Sequence, residues 1–290
     1  MPAACHFPTG TQIGVKAMEY LALFIWLSLC LILGGAMHFV MAGALANRFV
    51  MLLAAPGVLI RKFTMTVTAL LCGGTVTRVS IYELSSRDVE FEAEGTASVG
   101  KVLVPLAPLF GAAAVMVTLN RLFGSPLNLN YTPPALSALD SAGLGGYFRG
   151  TWALLTSVVR QATHANWSST SFYVLFALVF SLAVGACAPM ERVREAIMGA
   201  ALVAVVLALL SSISIQRGPD ALPSSPAWLT GARSMIVRFS GVAFIMMVYG
   251  MLGALVVGII VRLYEIVTRS SAAKTRAKAP AQPRAKKKAA

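Results

Sequence analysis

Charge is scarce in this chain, and negative charge is scarcest. Only 12% of its 290 residues are charged, where a soluble domain carries about 25%. Eleven are Asp or Glu, against 24 Lys and Arg. So thin a polar surface excludes an ordinary soluble enzyme. Cysteine is sparse too. Cys5, Cys30, Cys72 and Cys187 form no C-x-x-C pair. That excludes a disulfide framework and a zinc ribbon, and leaves these residues as small buried hydrophobes. No cluster of positive charge precedes the first apolar run, so no cleavable signal peptide is expected. A zinc motif is missing as well. His38 lies in His-Phe-Val-Met-Ala, with Phe39 and Ala42 where H-E-x-x-H needs Glu and His.

Apolar sequence is abundant. The chain is 57% hydrophobic with a mean hydropathy of +0.75. Several apolar runs exceed the roughly 18 residues that a membrane helix needs. The expected fold class is an all-α polytopic membrane protein, with about six transmembrane helices and a small β-hairpin after the second. A polar lead, residues 1–16, precedes a membrane domain over 17–262. Its spans are expected at Ala17–Ala46, Phe49–Cys72, Lys101–Phe123, Ser169–Cys187, Ala196–Ile215 and Met235–Arg262.

Between spans two and three, Thr75 to Tyr82 is β-branched, and Asp88 to Glu94 alternates apolar with acidic residues. The pattern predicts a hairpin over about 75–95, at the membrane surface. An external, largely irregular loop is expected over about 124–168, ending in an interfacial helix at Thr151–Thr163. A short loop, Ala188–Glu195, joins spans four and five. Residues 263–290 read as a basic disordered tail. From Arg269 onward it carries eight Lys or Arg and no acid. The positive-inside rule then puts both termini in the cytoplasm, with anionic headgroups as the tail's partner and no nucleic acid.

One pair of residues resists this scheme. Arg61 and Lys62 interrupt the second span, after about 12 apolar residues from Phe49 to Ile60. Each charge at mid-membrane costs about 2.5–3.5 kcal/mol on insertion scales. Either the side chains face a polar cavity inside the bundle, or they snorkel to headgroups. In a cavity the candidate counter-charges are Glu83, Glu191 and Glu195, and carbonyls freed near Pro56 could also accept.

The flanks of the pair carry a resemblance. Pro56-Gly57-Val58-Leu59-Ile60, then five residues, then Thr66-Val67-Thr68-Ala69-Leu70-Leu71-Cys72-Gly73-Gly74 is similar to the first catalytic helix of site-2-type intramembrane zinc metalloproteases. The order that follows also resembles that family: glycines, a hairpin, a Pro105-Leu106-Ala107-Pro108 span, Asn166-Trp167, and Ala188-Pro189 after span four. The resemblance covers about Tyr20 to Leu210 and is closest to a bacterial branch, which implies an integral protein of the bacterial inner membrane. Its zinc-motif positions, however, hold Arg61, Lys62 and Met65. Arginine has no lone pair to give a metal, lysine is no carboxylate base, and a thioether suits zinc poorly. The later acidic position falls near Val193.

What the resemblance implies is a degenerate member with its zinc site lost, a pseudoprotease. It is expected to be no enzyme, to need no cofactor or metal, and to serve as a binding or structural subunit among other membrane proteins. A transporter or channel with a mid-membrane Arg-Lys anion site is the first alternative. A residual membrane metalloprotease using His38 with His164 is the second.

Overall fold

The fold was taken from a computed structural model, which describes residues 10–41, 44–80, 89–92, 98–129, 137–164, 169–187, 189–215 and 227–278. Among these described residues eight helices and one hairpin follow in order. They are α1 (Gly10–Met41), a 3-10 turn (Ala44–Ala46), α2 (Arg48–Leu71), β1 (Thr75–Val79), β2 (Val89–Glu92), α3 (Ser98–Leu103), α4 (Ala107–Leu122), α5 (Ser137–Thr163), α6 (Thr170–Ala186), α7 (Met190–Ile215) and α8 (Ala227–Lys278).

Among the described residues, four helical stretches are long and apolar enough to cross a membrane: Tyr20–Met41, Arg48–Leu71, Arg192–Ser211 and Trp228–Tyr264. Helices α4 and α6 are apolar but shorter, at 16 and 17 residues. At 1.5 Å per residue each is about 25 Å long, against about 30 Å of hydrocarbon. The long helices, with one small sheet, make this an all-α integral membrane protein.

The centre of the bundle is α6 and the middle of α8. Every residue from Val179 to Cys187 is buried, as is every residue from Ser240 to Gly250. A helix that is apolar on all sides belongs in such a position. Around this centre α1 packs on α7 and α8, while α2 packs on α6 and α4. Trp26 of α1, fully buried, lies 4.7 Å from the Phe244 ring of α8.

Several boundaries differ from expectation. The Lys101–Phe123 span is broken, with α3 ending at Leu103 and α4 starting at Ala107. Pro105 has no N–H for a helical bond and disfavours helix in the residue before it, and a proline also sits in the first turn of α4. The helix expected at Thr151–Thr163 starts earlier, at Ser137, within the part of the 124–168 loop expected to be irregular. Glycines there suggested coil, but buried Tyr147 anchors the helix and its hydroxyl donates to Ala22 O at 3.4 Å. Helix α7 starts at Met190, so Glu191 and Glu195 lie on its opening turns and not in a loop. Pro189 O accepts from Arg192 N at 2.8 Å and so begins that helix. Finally, α8 continues past Arg262 to Lys278. Ala, Lys and Arg are strong helix formers, and they carry the helix into the expected disordered tail. Residues 279–290 lie outside the described residues.

Candidate functional site

Helix α2 begins at Asn47, whose side chain accepts from Phe49 N at 3.0 Å. It ends where Gly73 adopts φ +79°, a conformation that glycine reaches without strain. Between these ends its buried residues are Val50, Ala54, Gly57, Val58, Arg61, Lys62, Met65 and Ala69. That spacing is one helical stripe. The opposite stripe, with Phe49, Leu52, Leu59, Phe63 and Leu70, is exposed. Arg61 and Lys62 therefore stand on the inner face, 2% and 4% exposed. Snorkelling to headgroups does not describe them.

Arg61 meets the end of α6. Its Nη1 donates to Cys187 O at 2.9 Å. Cys187 is the residue on which the backbone leaves helical geometry. The last carbonyls of a helix have no partner within it and carry the negative end of its dipole. A buried guanidinium there answers both the acceptor and the partial charge.

Lys62 meets the hairpin. Its Nζ donates to the carbonyl oxygen of Ser80, which follows β1 directly. Lys62 stands nine residues before the end of α2, about 14 Å along the axis. The five extended steps from Thr75 to Ser80 span about 17 Å, enough to reach back that far. The chain thus turns at Gly73 and runs back along α2. The strands pair antiparallel, with Val76 opposite Phe91, Val79 opposite Val89, and an irregularity between Val76 and Arg78. Val76 and Val89 pack with Met65 and Ala69 of α2 and with Val104 after α3. The hairpin lies against the inner stripe of α2, where Val89 is buried with Met65 and Ala69.

The approach of α2 to α6 depends on glycine at two facing positions. A Cβ on Gly57 would stand 1.8 Å from Ser181 O, and one on Gly185 would stand 2.1 Å from Gly57 O. Pro56 removes one helical donor, and Gly57 N donates across the interface to Ser181 Oγ at 2.9 Å. The backbones therefore touch one turn before Arg61, which brings Cys187 within its reach.

The expected residues divide as follows. Arg61, Lys62 and Met65 come together on one face. Glu195 is exposed on α7, so it is not buried beside them. Glu83 and the side chain of Glu191 lie outside the described residues. His38 is half-buried in α1, and His164 is exposed after α5. Among the described residues no three His, Cys, Asp or Glu are grouped to hold a metal. Arg61, Lys62 and Met65 do not fit a zinc ion, because the two cations spend donors on carbonyls and offer no lone pair. Sequence reasoning missed the carbonyls of Cys187 and Ser80, along with the Gly57–Gly185 contact. The Pro56-Gly57 pair inside an apolar run was a signal for the last of these.

The chain was compared with protein-family models, curated proteins and solved structures, and none matches it.

Proposed function

We propose that this chain is a catalytically inactive, site-2-protease-like membrane protein that acts by binding, as a structural or holding subunit of a membrane complex. The observation that carries the reading is the inner face of α2. At the three positions where the resemblance puts zinc chemistry, two buried cations tie α2 to the end of α6 and to β1. Chemistry that once needed an open coordination position is replaced by bonds that close the structure. Two apolar helices, α4 and α6, raise the spans from four to six, α6 being shielded by its neighbours and able to tolerate a shorter length. The basic residues from Arg269 onward support a cytoplasmic C-terminus beside anionic lipid, in a bacterial inner membrane.

An apolar groove of about 470 Å³ supports binding over catalysis. It is bounded by Phe63 and Val67 on the outer face of α2, by Leu103 and Leu106 beside the α3–α4 break, and by Val203 of α7. A partner's transmembrane helix could rest there without meeting any reactive group.

Metal analysis of the purified protein tests the reading. After incubation with zinc and gel filtration, the chain should hold well under one equivalent. Stoichiometric zinc, or cleavage of a membrane substrate, would sink it. The triple substitution Arg61→His, Lys62→Glu and Met65→His should gain weak zinc binding, because two ligands then stand at i and i+4 on the buried face. A triple variant that folds but gains none counts against a retained protease scaffold.

A further inference from the structure

A second pair of cations has no role in that latch. Where α4 and α5 end against α8, the structure holds a polar cavity of about 410 Å³. Arg121 of α4 and Arg238 of α8 both line it, with Ser125 and Gln161, and among the described residues no carboxylate does. Both arginines are exposed, and among the described residues neither is held in an ion pair.

The wall beside them is firmly built. Asn120, 5% exposed, donates from Nδ2 to Leu127 O at 2.9 Å and accepts from Leu127 N at 3.0 Å. Ser125 N donates to Asn120 O at 2.6 Å. These bonds fold residues 123–129 back over the end of α4 and hold Ser125 at φ 58°, a conformation that side chains other than glycine adopt at a cost. Gln161 Oε1 is enclosed and lacks a hydrogen-bond donor among the described residues. The cavity is therefore lined by two arginines, a serine and a glutamine whose enclosed Oε1 has no donor among the described residues.

We propose that this cavity binds a phosphate group with an O–H or N–H close beside it. Paired guanidiniums match a phosphate by charge and by their forked donors. The Ser125 hydroxyl adds a donor to the phosphate, and a turn of the Gln161 side chain brings Oε1 to the ligand's own hydrogen. Such a ligand is either a phospholipid headgroup, since the cavity lies at the end of apolar helices, or a soluble phosphate ester. The site is independent of how Arg61 and Lys62 are read.

The test uses the full chain, delipidated in detergent. Phosphatidylglycerol and phosphatidylcholine are titrated in native mass spectrometry, and glycerol 3-phosphate is titrated with phosphorus NMR as the readout. Phosphatidylglycerol has hydroxyls beside its phosphate, while phosphatidylcholine has no donor. The expected result is saturable binding of phosphatidylglycerol or of glycerol 3-phosphate, weakened on the order of tenfold or more by Arg121→Gln with Arg238→Gln. Binding of the lipid alone assigns a headgroup site, and binding of the free ester assigns a soluble ligand. If neither binds, or if the double variant binds as the parent does, the proposal is overturned. Should the double variant fail to fold, Gln161→Leu decides. Its preference for phosphatidylglycerol over phosphatidylcholine must fall, and an unchanged preference refutes the site.

Discussion

Arg61 and Lys62 on one side, Arg121 and Arg238 on the other, are cations in a chain with few acids, yet the fold treats them oppositely. The first pair is buried on α2, and each member donates to a main-chain carbonyl. The second pair is exposed around an open polar cavity. Burial makes the difference. A cation removed from water must find acceptors fixed by the fold, because leaving it unanswered costs several kcal/mol. A cation at the rim of a cavity keeps water as its partner and remains available to a ligand. Residue type alone does not separate a latch from a binding site; the location of the acceptor does.

The largest way to break this contrast is to push α6 away from α2. In Gly57→Val the new Cβ would lie 1.8 Å from Ser181 O, and backbone cannot move aside as a flexible side chain can. The separation should withdraw Cys187 O from Arg61 and take that acceptor away from a buried cation. We expect a loss of about 3 kcal/mol or more, read as a collapse in folded yield and in the midpoint of unfolding by SDS in mixed micelles. Parental stability in Gly57→Val would show that the α2–α6 contact does not set the latch.

A smaller effect separates the two pairs directly. Arg61→Ala leaves Cys187 O without its charged donor at the negative end of α6. The expected cost is about 1.5–3 kcal/mol in the same unfolding measurement. Arg121→Ala, at an exposed position, should stay within about 0.5 kcal/mol of the parent. The Arg61 deficit should persist in 1 M salt, since screening reaches buried charges poorly. Equal losses at the two positions would erase the comparison.

Much of α2 was legible before any coordinates. Asn47-Arg48 marks a turn, Gly73-Gly74 is a stop, and the apolar run between them has the length of a span. The hairpin was legible too, because alternation with period two leaves little else for Asp88 to Glu94 to form. The end of the third span was legible, but the span was expected to run from Lys101 to Phe123 with no break at Pro105. Residues 137–150 were misread because four glycines each cost about 1 kcal/mol in a helix, and the packing of Tyr147 that offsets them is tertiary. The partners of Arg61 and Lys62 were only half legible. Acids, and carbonyls freed by Pro56, carry a mark in the sequence and were offered as partners, whereas the carbonyls of Cys187 and Ser80 carry none. Only the approach of the α6 end and the return of β1 select Cys187 and Ser80.

Lys62 gives the finest test, because its bond and its neighbours' packing can be separated. The hairpin is held to α2 by the Lys62–Ser80 bond and by Val76 and Val89 against Met65 and Ala69. Lys62→Met removes the bond and leaves the apolar contacts in place. Its effect should therefore be local. Amide hydrogen exchange in β1 and β2 should quicken on the order of tenfold, the equivalent of about 1.4 kcal/mol of local opening. Exchange at the α2–α6 contact around Gly57 and Ser181 should stay at the parental rate, and Lys62→Arg should restore most of the hairpin's protection. Unchanged strands would mean that packing alone holds the hairpin. Faster exchange across α6 as well would mean that Lys62 and Arg61 act as one unit, and that the latch cannot be divided into a hairpin half and a helix half.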